Sequence, residues 1–113
     1  SKAKIINKDF IFAKEWNLKL KYQYSSNSIN YIAIRSHNIK LFNNEKHNSE
    51  NVFNMIIENI VENPFDYTLY IKEVNCNNSN SAINFTISKE EMKFNVNDVI
   101  KVKFEENYLF TFE

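Results

Sequence analysis

None of the 113 residues is glycine. Glycine occupies left-handed backbone without steric cost and lets the main chain approach a phosphate closely, so its absence removes several folds and sites together. A P-loop, a dinucleotide-binding GxGxxG turn and a nucleophile elbow each require it. This chain binds no nucleotide by those routes, and its left-handed turns must fall to other residues. Asn tolerates that region better than most, and it is abundant in stretches such as NNEKHNSEN and NCNNSNS. A biased genome would load Asn in the same way with no functional meaning.

The apolar residues recur with a period of two. Trp16, Leu18, Leu20, Tyr22 and Tyr24 alternate with Asn17, Lys19, Lys21 and Gln23, the pattern of a strand wet on one face. Tyr67, Leu69 and Ile71, then Ile83, Phe85 and Ile87, then Ile100, Val102 and Phe104 repeat it, followed by Tyr108, Phe110 and Phe112. Polar groups separate the runs: SSNSIN, SHN, NNEKHNSEN, ENPFD, NCNNSNS, NVND and EEN. The spacing predicts an all-β, OB-like small barrel or sandwich of about six to eight short strands, among them 16–24, 31–35, 67–74, 82–87 and 99–104.

Two stretches depart from that period. In VFNMIIENIV the residues Val52, Phe53, Ile56, Ile57, Ile60 and Val61 fall at helical spacing, and Ser49 would cap a first turn. The same run is β-branched and aromatic and ends near Pro64, which fits a strand buried on both faces. Residues 52–61 are thus open to either reading from periodicity. In SKEEMKF, Ser88 and Glu91 have capping-box spacing and predict one short helical turn near 88–92.

Composition narrows the function. The length suits one core, and fourteen basic side chains cancel fourteen acidic ones, which argues against nucleic acid and an anionic membrane as partners. No run approaches a spanning helix, so no direct membrane insertion is expected. Cys76 is the only cysteine, which excludes an internal disulfide and fits a reducing compartment. The chain starts at Ser1 without a secretion-signal layout and reads as a fragment of a longer protein. His37, His47 and Cys76 share no metal-ligand spacing, and no motif surrounds Cys76 as a nucleophile, so no metal and no catalytic residue are assigned. The ten Phe, six Tyr and one Trp suit a small barrel core.

The segment YIAIRSHNIKLF, residues 31 to 42, resembles the Ile-Arg-Pro-Glu segment of the TOBE domain, the accessory domain that follows the ATPase domain in ABC importers. Ile34, Arg35, Asn38, Ile39 and Leu41 carry the match, with Ser36 and His37 in place of Pro and Glu. ENVFNMIIENIVE is similar to a family segment that forms a strand, and the resemblance therefore places 52–61 in a strand. INFTISKEEMKFNVNDVIKVKF resembles the closing pattern, with Met92 and Phe94 as its apolar pair and Asp98, Val99, Val102 and Phe104 where the family has Gly-Asp-x-Val. Asn97 stands at the glycine.

The resemblance covers residues 10 to 112 and implies an OB-like barrel, related to the molybdate-binding Mop modules. It implies an accessory and regulatory domain of an ATP-binding subunit, cytoplasmic and held at the inner face of the cell membrane through the transporter. Its partners would be a second copy, the ABC ATPase domain, the permease subunits and a small solute or oxyanion. ATP and Mg would belong to the ATPase domain, leaving this chain without a cofactor. Comparison with oxyanion-binding members implicates Ser49, Asn51, Thr86, Ser88 and Lys89, which offer hydroxyl and amide donors and one cation. Glu50 stands where those members carry Arg, and it opposes an anion. Two alternatives remain: a free-standing oxyanion-binding Mop-like protein, and an OB-fold module for single-stranded nucleic acid, with Lys19 and Lys21 on a wet face. Zero net charge and scattered lysines count against the second.

Overall fold

The computed structural model describes residues 1–23, 29–42, 50–76 and 82–112. The chain is all-β. Ten strands lie among these residues: β1 (Ala3–Asn7), β2 (Phe10–Ala13), β3 (Leu18–Lys21), β4 (Tyr31–Ile34), β5 (Ile39–Leu41), β6 (Val52–Glu62), β7 (Asp66–Glu73), β8 (Ile83–Ser88), β9 (Val99–Phe104) and β10 (Leu109–Phe112). Two single 3-10 turns, Ser36–Asn38 and Glu106–Tyr108, are the only helical pieces there. The predicted helical turn near 88–92 is a non-helical turn: Ser88 Oγ accepts the Glu91 N–H at 3.2 Å. The Glu91 carboxylate accepts from Ser88 Oγ and not from the Ser88 backbone, so the reciprocal capping box is incomplete and nothing propagates.

Five strands in the order β5, β9, β6, β7, β8 form one antiparallel sheet that curls into a nearly closed barrel. Its free edges, β5 and β8, face each other across a cavity of about 50 Å³ lined by Ile39, Leu41, Phe85 and Ile87, together with Lys40, Thr86 and Glu91. Thr86 Oγ1 closes the seam by donating to Ser36 Oγ at 2.8 Å. Strand β6 is a strand throughout, and its helical spacing has a local cause. The register against β7 slips between Ile57 and Asn59, leaving Glu58 as a bulge. Phe53, Met55 and Ile57 face the core before the bulge and Ile60 after it, so one step along the inner face is three residues long.

The remaining strands form a second layer. β1, β2 and β3 pair in sequence, and β4 pairs with β10. A bridge between Lys2 and Tyr31 joins the two groups, flanked by a 2.8 Å bond from the Ser1 nitrogen to the Ile32 carbonyl and its 2.8 Å reciprocal. Strand β3 is shorter than the predicted 16–24: Trp16 and Asn17 lie in the preceding turn, and Tyr24 falls outside the described residues. β1 and β2 precede every strand that the alternation marks.

One ribbon joins the two layers. From Tyr31 opposite Phe112 to Ile34 opposite Leu109, β4 pairs with β10; from Ile39 opposite Phe104 to Leu41 opposite Val102, β5 pairs with β9. The 3-10 turns interrupt both sides of this ladder at the same place, with equal numbers of residues, so the register continues unbroken across them. The core gathers around Phe104, which is fully buried. Trp16 meets its ring edge-on at 6.0 Å and Phe53 does so at 5.7 Å, so one side chain ties the β1–β3 sheet to the barrel.

Candidate functional site

Ile34, Arg35 and Asn38 occupy the corner where β4 turns into β5. Arg35 is extended, with φ −77° and ψ 142°, and its carbonyl accepts the Asn38 N–H at 2.9 Å. The opposite corner repeats this bond, from the Tyr108 N–H to the Glu105 carbonyl at 3.0 Å. The Arg35 guanidinium lies 5.7 Å from the centre of the Phe110 ring, a cation–π contact worth about 0.5–1 kcal/mol when exposed. The Arg therefore packs along the outside of β10 and leaves the corner itself to the backbone.

Of the five residues implicated in oxyanion binding, the four that are described separate into two places. Ser49 lies outside the described residues. Asn51 stands just before β6, with its backbone in the left-handed region at φ 57°. Its amide oxygen accepts the Lys21 N–H at 2.7 Å and its amide nitrogen donates to the Lys21 carbonyl at 3.0 Å, so the side chain extends β3 as a neighbouring strand would. Thr86, Ser88 and Lys89 lie on β8 and the turn after it, where Thr86 is opposite Thr68 and Thr68 is opposite Val61 near the far end of β6. There Lys89 Nζ bonds the Glu62 carboxylate at 3.0 Å and sits 5.4 Å from the Tyr67 ring centre. Within one copy of the chain these two groups line no common cavity among those described.

Carboxylates accompany both groups. Glu50 pairs with Lys21 at 2.8 Å, and that hydrogen bond raises the Lys21 pKa above its ordinary value. A cleft of about 190 Å³ beside Asn51 is lined by Glu50, Glu105 and Glu106 with Lys103. At the other end, the bond from Lys89 holds the Glu62 carboxyl below its usual value. The donors are also engaged: Thr86 Oγ1 donates to Ser36, and Ser88 Oγ donates to Glu91 at 3.1 Å. An anion would have to displace these bonds.

Among the described residues no three His, Cys, Asp or Glu side chains gather as metal ligands. Cys76 is buried, with its thiol donating to the Glu15 carbonyl at 3.4 Å. Among the described residues no helix is long and apolar enough to cross a membrane. Sequence reasoning missed Ser36, the seam partner of Thr86, and the structural use of Asn51; both bonds join residues at least 30 positions apart, which no local pattern signals. No protein-family model matches the chain, and neither does any curated protein.

Proposed function

We propose that this chain is the C-terminal accessory domain of the ATP-binding subunit of an ABC importer, pairing with a second copy and regulating transport without an ATPase site of its own. The observation that carries the reading is Asn97. The resemblance puts a glycine of the family at this position, ahead of Asp98, and Asn97 holds the left-handed backbone that a glycine would take, at φ 76°. The all-β barrel and the passage of Ile34-Arg35 through a tight corner into Asn38-Ile39 support it further. In this reading ATP and Mg are held by an ATPase domain elsewhere in the protein. The complex sits on the cytoplasmic face of the cell membrane through its permease subunits.

Solute sensing belongs to the same proposal. Thr86, Ser88 and Lys89 of one copy would meet Ser49 and Asn51 of the other, since family members build ligand sites across two copies. The test is the reading frame upstream of Ser1. An in-frame GxxxxGK[ST] is expected; a stop codon with no such motif would overturn the assignment and leave the free-standing oxyanion-binding module.

A further inference from the structure

The zero net charge is the sum of two unlike parts. Residues 1–42 carry eight basic and two acidic side chains, and residues 43–113 carry six and twelve, giving +6 and −6. Strand pairing then gathers much of the positive part on one surface. On β1 and β3 the outward positions are Lys2, Lys4, Lys19 and Lys21, because Ala3, Leu18 and Leu20 point into the core. The Lys14 N–H donates to the Lys2 carbonyl at 2.9 Å, one step beyond the Ala3–Ala13 pair, so the two lysines stand side by side on adjacent strands. Like charges so placed repel. Neither has an ion pair among the described residues.

Aromatic rings continue the same row. Lys2 is bridged to Tyr31, and Tyr31 is opposite Phe112, so both rings share the outward face with the lysines. Tyr31 is 47% exposed, Phe112 55% and Phe110, two residues along, 41%. Lys2, Lys14, Asn30 and Tyr31, with Ala3, line a hollow of about 210 Å³. Two carboxylates lie nearby: Glu15 accepts the Lys2 N–H at 2.6 Å and keeps its charge beside the row, and Glu50 pairs with Lys21.

A strand surface with two cations that have no ion pair among the described residues, beside three exposed rings, fits a ligand that carries phosphates and bases on one chain. We propose that this face binds single-stranded nucleic acid, with phosphates at Lys2 and Lys14 and bases stacked on Tyr31, Phe112 and Phe110. An anionic bilayer is the poorer fit. The most exposed aromatic among the described residues, Phe65 at 91%, would lead an insertion, and it stands beside Asp66 on the acidic part of the chain. This inference is independent of the transporter reading.

Fluorescence anisotropy of a labelled oligothymidylate with the 113-residue chain tests it. Micromolar binding at low salt is expected, weakening as salt rises. Replacing both lysines, Lys2→Glu with Lys14→Glu, should weaken binding at least about tenfold and flatten the salt dependence. Tyr31→Ala with Phe112→Ala should weaken it at least about thirtyfold and leave the salt slope unchanged. Should that pair fail to fold, Tyr31→Trp provides a second readout, its emission being quenched by the oligonucleotide. Overturning results are no binding, affinity unmoved by either pair of substitutions, an unquenched Trp, equal affinity for duplex DNA, or binding to phosphatidylserine vesicles without binding to the oligonucleotide.

Discussion

Three non-glycine residues with left-handed backbone, Asn17, Asn51 and Asn97, are described, and each is Asn. In a chain without glycine that is where the turn chemistry has to go. They are not equivalent. Asn97 is exposed, and its backbone N–H bonds the Ile57 carbonyl at 2.8 Å, so only its conformation is needed. Asn51 adds two side-chain bonds to Lys21. Replacement by Gly should therefore separate them. Asn97→Gly is expected to keep full stability, whereas Asn97→Ala loses about 1–2 kcal/mol to left-handed strain. Asn51→Gly should lose about 1–3 kcal/mol, since both bonds to Lys21 disappear. Urea unfolding at constant m-value measures all three. Equal costs for Gly and Ala at position 97 would show that the Asn97 side chain matters after all. Asn97 was legible because a recognisable Asp98-Val99 follows it. The bonds of the Asn51 side chain were not legible, because their partner lies 30 residues away in the sequence.

At the level of strands, the alternation marked β3, β4, β7, β8 and β9 within a few residues, because each presents one regular buried face. Two physical causes hid β1, β2 and β6. The bulge at Glu58 turned a period of two into a step of three along β6, and periodicity alone then reads as helix. The β1–β2 hairpin turns at Asn7, Lys8 and Asp9 with no Asn-Gly or Asp-Gly pair; the Asn7 side chain makes the turn by accepting the Asp9 N–H at 2.9 Å. A further bulge between Ile5 and Asn7 blurs its alternation. Of the proposed ligand residues, Thr86, Ser88 and Lys89 lie within four positions of one another in the sequence, whereas the seam that uses Thr86 joins elements 50 residues apart. That seam sets an energetic test. A double-mutant cycle with Ser36→Ala and Thr86→Val should give a coupling of about 0.5–1.5 kcal/mol, the net worth of one part-buried hydrogen bond. A coupling near zero would mean that apolar contacts of Ile39 and Phe85 hold the edges together unaided.

Over the whole molecule, the two layers communicate through the β4–β5 and β9–β10 ribbon and through Phe104, which touches Trp16 on one side and Phe53 on the other. The ribbon keeps its register because four residues, 35–38, stand opposite four others, 105–108. This makes the lengths of the two corners interdependent. A single residue inserted after His37 would shift β5 against β9 by one position and turn Ile39 out of the core, since strand faces alternate. A matching insertion after Asn107 lengthens the facing corner and lets both ladders re-form. The single insertion is expected to lower the thermal midpoint sharply and the paired insertion to restore most of the loss, measured by calorimetry on the two variants. Failure of the pair to recover would show the corners to be independent. If they are coupled, this chain can change size at these corners only by two compensating events, so natural length variation should concentrate elsewhere, in connections whose strands share no such ladder.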